Sequence, residues 1–373
     1  MKITDIEVFL VNAPLPEPIY PSWEAGGVWK SMTQTVVKVH TDEGITGIGA
    51  SAMDTTHIIV KQLKPHIIGQ DPFATERLVQ PMRNPYAPAW EIDIALWDIV
   101  GKACGQPIYR LWGGFTDRVR AYASLLERIN PKQRIEDALR CKAEGFKAIK
   151  LRIHAMTMKE DIELVAGVRE AVGDEIELMV DANQTNTSFW PRQGPVWTYE
   201  RALATAKELE ALGLVWLEEP LPRYDFKNLA RLCEAVNIYI AGGENNRGLH
   251  EFRWMLEQGV YDILQPEALV SEGLFQCRKI GAMAEVYNKW CVPHMGGTGV
   301  GMAAHLQLAC SMPNCPYFEY FYQPSKFPIS YFQGILTEPL VIDENGDLHV
   351  PQKPGLGVEL NEDWIKKYGQ KID

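Results

Sequence analysis

Residues 176–220 read IELMVDANQTNTSFWPRQGPVWTYERALATAKELEALGLVWLEEP. Two short apolar, β-rich runs, IELMVDAN (176–183) and LVWLEEP (214–220), flank a segment of helical periodicity from Tyr199 to Leu212. Each run closes on a carboxylate, Asp181 in the first and Glu218 in the second. The same strand–helix text continues on both sides. Upstream lie VRAYAS (118–123) and FKAIKLRI (146–153); downstream lie IYIAGGEN (238–245), YDILQPEA (261–268), KWCVPHMG (289–296) and YFEYF (317–321). Amphipathic helices separate them, among them Pro131 to Glu144, Lys159 to Val172, Phe226 to Ala235 and Leu249 to Gln258. Eight strands joined by helices at this spacing predict an α/β protein of the (β/α)8 barrel type. A doubly wound sheet is the alternative; it usually has fewer strands and a Gly-rich first strand–helix turn, which VRAYASLLERIN lacks.

The ends of the chain read differently. Residues 1–50 alternate apolar and polar side chains, as in Ile3 to Leu10 and Thr35 to His40, and predict an antiparallel meander; residues 55–112 are helical in period. Strands followed by helices predict an α+β unit. The tail PLVIDENGDLHV has a hairpin signal at Asn345-Gly346 and is expected to rejoin the N-terminal unit instead of extending the barrel. The division is therefore 1–116 as an α+β capping domain, 117–335 as the catalytic barrel, and 336–373 as a tail returning to the cap.

The chain has 373 residues, 46% of them apolar and 23% charged, the composition of a globular protein. Net charge is −11, which excludes a broad nucleic-acid or anionic-membrane surface. No apolar run reaches the roughly 18 residues that span a bilayer. The N-terminus carries Asp5 and Glu7 within its apolar stretch and reads as a strand, not a signal peptide. The seven cysteines include no CxxC pair and are expected to be reduced thiols of a cytoplasmic protein.

The chemistry sits at the strand ends. Asp181, Glu218 and Glu244 end three consecutive strands, 37 and 26 residues apart. In a barrel those ends converge on one mouth. Three converging carboxylates repel one another, and a hard divalent cation resolves the conflict; helix caps or Arg partners are the plainer reading. Lys150 and Arg152 share a face of the second strand, as a base and a carboxylate binder or simply as neutralising cations. His294 and Glu267 end strands seven and six and form a candidate acid–base dyad. Glu319 in strand eight faces the same mouth. The Gly cluster HMGGTGVG (294–301) reads as close packing, and His40, His57, His66, His154, His250, His305 and His349 read as ordinary histidines. The aromatic loop at 185–199 shapes the mouth or packs on the surface.

These motifs together resemble the enolase superfamily, in its mandelate racemase branch of acid-sugar dehydratases and racemases. WEIDIALWDIVGKACGQPIYRLWGG (90–114), KLR (150–152), VDANQ (180–184), WLEEP (216–220), AGGEN (241–245), LQPEA (264–268), VPHMGG (292–297) and FEY (318–320) carry the resemblance along essentially the whole chain. It implies a modified TIM barrel of the (β/α)7β type under a capping domain. It further implies one Mg²⁺ on Asp181, Glu218 and Glu244, and His294 with Glu267 as the acid–base dyad. Lys150 stands for the first Lys of the usual Lys-x-Lys, and Glu319 for the acid that bonds the substrate carboxylate. Two positions depart from the pattern: Arg152 replaces the second Lys, and Glu267 replaces an Asp. Loops 14–30, with Tyr20, Trp23, Glu24 and Trp29, and 50–57, with Thr55, are expected to choose the substrate, and Asn183 to touch it. The implied assembly is a dimer or octamer.

The function expected is Mg²⁺-dependent dehydration of an acid sugar to a 2-keto-3-deoxy acid. Lactone cycloisomerisation or epimerisation in the same family is a second reading, and metal-dependent binding of a sugar acid without turnover is a third. A small carboxylate, not a nucleic acid or a membrane, is the expected partner.

Overall fold

A computed structural model describes residues 1–24, 26–84, 88–185, 194–295, 297 and 299–373. The alternating N-terminal text forms three antiparallel strands, β1 (Ile3–Ile19), β2 (Trp29–Thr41) and β3 (Thr46–Ser51). Val8 faces Val37 in the β1–β2 register, and Val37 faces Gly49 in the β2–β3 register. The helix Glu91–Ala103 lies against β3. Gly47 and Gly49 make that approach possible, since a Cβ on either would overlap the carbonyl oxygens of Ala95 and Glu91.

Eight parallel strands follow. They are β4 (Arg118–Leu125), β5 (Ala148–Arg152), β6 (Glu177–Asp181), β7 (Trp216–Glu218), β8 (Tyr239–Gly242), β9 (Ile263–Leu264), β10 (Trp290–Cys291) and β11 (Tyr317–Tyr322). Seven helices connect them: Pro131–Ala143, Met158–Val172, Tyr199–Ala211, Phe226–Ala235, Gly248–Gln258, Leu274–Val286 and Gly299–Cys310. This is the (β/α)7β order. The sheet curls as β10-β9-β8-β7-β6-β5-β4-β11. Between its two ends, Cys291 N donates to Asn314 O at 2.9 Å and Met295 N to a carboxylate oxygen of Glu319 at 3.2 Å. Strands β9 and β10 are shorter than their apolar text suggests, because Pro266 and Pro293 bring no N–H to a ladder.

Side-chain caps start three of the connecting helices. Asn130 accepts from Gln133 N, Thr198 from Arg201 N, and Thr157 with Glu160 forms a reciprocal capping box.

The tail divides its loyalties. β13 (Gly369–Ile372) pairs antiparallel with β1, as expected of a segment returning to the first sheet. β12 (Asp347–His349) instead pairs antiparallel with β4, so the barrel sheet gains a strand from the tail. The Asn345-Gly346 turn is formed, with Gly346 at φ 79, but its return strand finds the open side of β4 near Arg120.

Buried acids join the N-terminal helix to its surroundings. Asp93 accepts from Leu274 N at 2.7 Å and so caps the helix Leu274–Val286. Asp98 accepts from Ile48 N and Leu356 N at 2.9 and 2.8 Å. Among the described residues, no helix is long and apolar enough to cross a membrane.

Candidate active site

A layer of apolar side chains closes the floor of the barrel. Tyr122, Ala148, Met179, Trp216, Ala241, Ile263, Val292 and Tyr317 form one buried cluster, one residue from or just after each strand. Side chains on a strand repeat their direction every second residue. Two residues beyond seven of these floor positions stand Ser124, Lys150, Asp181, Glu218, Gln265, His294 and Glu319. The eighth position is Gly243, and Glu244 follows it. The period that builds an apolar floor thus places a polar ring directly above it.

Single oxygens of Asp181, Glu218 and Glu244 lie within 4.8 Å of one another. Burial raises the proton affinity of Asp181 and Glu218 adds to it, with Arg152 opposing both. A donor set of three crowded carboxylate oxygens suits a hard, oxygen-loving divalent cation. Two cations of the chain neutralise part of the charge. Lys150 Nζ lies 2.7 Å from Glu218 Oε1 and 2.9 Å from Glu319 Oε1. Its own burial favours the neutral amine, but those two carboxylates outweigh burial and hold the ammonium charged. Arg152 Nη1 pairs with Asp181 Oδ2. The rest of that guanidinium donates to Leu125 O at 3.0 Å and Ser124 Oγ at 3.2 Å.

Across the mouth, His294 Nδ1 lies 2.9 Å from Glu267 Oε2. Its Nε2 lies 3.4 Å from Glu244 Oε2 and 3.9 Å from Glu319 Oε2. Burial alone lowers the affinity of this ring for a proton; Glu244, Glu319 and Glu267 together raise it further than burial lowers it, to about 10. For Glu319, burial favours the acid form, but Lys150 and His294 hold it as the carboxylate, below its ordinary range.

The predicted loop residues divide. Trp23 stacks on Arg152, with the guanidinium 5.0 Å from its ring centroid, so the 14–30 loop does reach the mouth. Ser22 Oγ donates to Asn183 Oδ1 at 3.4 Å, and Asn183 Nδ2 donates to Asp181 Oδ2 at 2.8 Å. Glu24 accepts from Trp29 Nε1 at 3.1 Å, and Trp29 packs edge-on against Trp23. Thr55 is buried at 3% exposure and gives its hydroxyl to Glu91 in the capping layer; the structure does not bring it into the ring. Most of the aromatic loop, 186–193, lies outside the described residues, as do Gly296 and Thr298 of the Gly cluster.

Sequence reasoning passed over three residues. Gln265 Nε2 donates to Glu218 Oε2 at 2.8 Å, and Ser124 Oγ to Glu319 Oε1 at 2.7 Å. Both were accessible from the two-residue period once the floor was recognised. His305, in the helix Gly299–Cys310, places Nε2 3.1 Å from Glu267 Oε1; nothing in its local sequence distinguishes it from a packed helical histidine.

Comparison with known proteins decides the family. The family model for the mandelate racemase / muconate lactonizing enzyme N-terminal domain matches residues 5–113, and that for the enolase C-terminal domain-like fold matches residues 133–364. The chain belongs to the enolase superfamily, in the mandelate racemase / muconate lactonizing enzyme group. Within this superfamily it is 32% identical to an arabinonate dehydratase of Saccharolobus solfataricus, over 90% of this chain and 91% of that one. It is 31% identical to a D-galactarolactone cycloisomerase of Agrobacterium fabrum, over 99% of both. A racemase from Streptomyces coelicolor A3(2) with bound magnesium has the same superfamily fold, with a TM-score of 0.85 at 26% identity, covering 99% of this chain and 100% of that one. The superfamily relatives are thus enzymes of three reaction types, namely dehydration, cycloisomerisation and racemisation.

Proposed function

We propose that the chain is a Mg²⁺-dependent lyase that removes the proton alpha to the carboxylate of an acid sugar and expels the β-hydroxyl, giving a 2-keto-3-deoxy acid. The observation that carries this reading is the asymmetry of the mouth. One side offers His294 on Glu267, an imidazole with Nε2 turned inward. The other side offers Lys150 and Arg152, both engaged by carboxylates. A guanidinium does not give up its proton at neutral pH. This arrangement favours one-base chemistry over two-base racemisation.

Asp181, Glu218 and Glu244 would hold the Mg²⁺, which when bound supplies Lewis-acid stabilisation of the negative charge developing on the substrate. The remaining work falls to the chain's own groups. With Glu244 engaged by the cation, the pull that holds a proton on His294 would be weakened; His294 Nε2 then takes the α-proton, and Glu267 on Nδ1 stabilises the imidazolium that results. Lys150 and Arg152 hold positive charge near the position of the substrate carboxylate. The imidazolium then returns its proton to the departing β-hydroxyl, which leaves as water. One C–H and one C–O bond break, one C=C bond forms, and the enol product becomes the 2-keto acid.

Cycloisomerisation of a sugar lactone is the second reading. The cycloisomerase relative aligned over 99% of both chains favours it, and the same dyad would serve with a lactone ring oxygen as the leaving group. Proton NMR in D₂O, with Mg²⁺ and a stereochemically complete set of acid sugars and lactones, separates the readings. Loss of an α-proton signal with a new 3-deoxy methylene from an open-chain acid sugar, with water lost, supports dehydration. The same methylene arising from a lactone by ring opening, with no water lost, supports cycloisomerisation, and solvent deuterium entering with inversion supports epimerisation. Tight ligand binding with no exchange would leave a non-catalytic binder and defeat the proposal.

A further inference from the structure

The two-residue period that builds the floor and the ring continues above them. Two residues beyond Lys150 on β5 stands Arg152, and two beyond Glu319 on β11 stands Phe321, each on its ring residue's side of the sheet. Leu126, just past β4, is fully buried in one cluster with Ile19 of the cap and with Phe327. Trp23 and Phe321 pack against that cluster and stay partly accessible. They also border the ring. The Arg152 guanidinium is 5.0 Å from the Trp23 ring centroid, and the His294 ring is 6.2 Å from that of Phe321. In the sheet order, β4 and β11 stand across the barrel from β7 and β8, which bring Glu218 and Glu244 to the mouth. The candidate metal ligands thus occupy one side of the mouth, and an aromatic wall the other.

An acid sugar anchored by its carboxylate near those acids, with its α-carbon at His294 Nε2, extends its remaining carbons toward that wall. Aromatic carbon covers C–H groups and offers a carboxylate no hydrogen bond, so a second charge laid against it would lose its water without replacement. The charge balance agrees. Asp181, Glu218, Glu244, Glu267 and Glu319 converge on the mouth, with Lys150 and Arg152 among them as cations. A bound Mg²⁺ leaves no positive charge over for a second carboxylate. Lys326, next to Phe327, is already engaged: its Nζ donates to Glu127 Oε1 and to Pro18 O, both at 2.6 Å.

We propose that Trp23 and Phe321 are specificity-determining residues: they receive the carbon chain beyond the reacting carbons and select an acid sugar with one carboxylate and an uncharged distal end over a dicarboxylate. The choice rests on the proposed α-proton chemistry, but the selection itself is measurable as binding.

The test sets aldonates against aldarates of matching chain length and configuration. Turnover is followed by NMR, and binding to the Mg²⁺-loaded protein by calorimetry. The wild type should prefer the aldonate by at least about 100-fold in kcat/KM. Phe321→Leu keeps the wall apolar and should keep that preference. Phe321→Gln and Trp23→Gln put an amide in the wall. Each should raise KM for the aldonate about tenfold and narrow the preference by a similar factor. The ratio between the two acids is the readout, since loosened packing alone slows both alike; circular dichroism establishes folding, and Trp23→Gln carries the test if the Phe321 variants do not fold. Aldarates converted as well as aldonates, or a ratio unmoved in folded Gln variants, overturn the proposal. A protein that exchanges no α-proton yet binds aldonates at least about tenfold more tightly than aldarates upholds the selection and overturns the proposed chemistry. Binding of neither class overturns both.

Discussion

Nδ1 of His294 lies 2.9 Å from Oε2 of Glu267, and strand register puts them there. Cys291 of β10 pairs with Leu264 of β9. Each side chain follows three residues after its paired strand end, and each is preceded by a proline, Pro266 or Pro293. Equal excursions from paired ends leave the two groups side by side. Replacing Glu267 by Gln keeps the shape and removes the charge that balances an imidazolium. Turnover should fall about 100-fold with little change in melting temperature; unchanged turnover would remove Glu267 from the mechanism.

Arg152 bonds Asp181, Ser124 and Leu125 and stacks under Trp23. A lysine there is a point charge on a flexible stem and cannot serve these partners together. Arg152→Lys should therefore lower kcat/KM about tenfold or more, at roughly 1.4 kcal/mol per decade, and should not create racemase activity. Measuring solvent-deuterium configuration in recovered substrate checks both halves. Efficient inversion by the variant would mean that Arg152 fills a base position after all.

Cation binding should release protons. Burial and Glu218 hold protons on Asp181, while Glu244 and Glu319 hold one on His294 against burial. A cation on these carboxylates favours the deprotonated acid and weakens the pull on the imidazolium, so both effects have the same sign. Mg²⁺ affinity should rise as pH increases from 6 toward 8. Calorimetric titration in buffers of different ionisation enthalpy measures the protons released; equal heats in all buffers would contradict the account.

Glu91 is fully buried beneath Thr55, and burial lifts its carboxyl to about 7. Between the ordinary glutamate range and pH 7 the folded state binds more protons than the unfolded one. Stability contributed by this group therefore falls as pH rises through that window and is lowest above it. The full effect is about 3 kcal/mol. Glu91→Gln cannot ionise, so its melting temperature should gain on the wild type between pH 5 and pH 8. A difference independent of pH would show that Glu91 does not titrate in that range.

Much of this was legible in the sequence, for identifiable physical reasons. Strand ends carry the ring, and a period of two fixes which residues share its face. Asp181, Glu218, Lys150 and Glu319 follow from their strands alone. Glu244 and Glu267 lie past the last ladder bond and were readable through spacing. His305 was hidden because helical histidines are usually packed, and its partner is 38 residues away in sequence. Thr55 was placed at the mouth by loop position, but its hydroxyl found a buried acid first. The strand β12 pairs with β4 at Arg118 to Arg120, the stretch that precedes the β5 ladder beginning at Tyr122.

The central claim is that His294 alone moves the proton on both sides of the elimination. It is tested by incubating wild type and His294→Asn in D₂O with Mg²⁺ and the acid sugar that the wild type converts, and following the α-proton and the 3-deoxy methylene by NMR. The account predicts that both exchange and dehydration fall by a factor of at least about 10² to 10⁴ in the variant, with Mg²⁺ binding retained. A folded His294→Asn protein that dehydrates at the wild-type rate would contradict it.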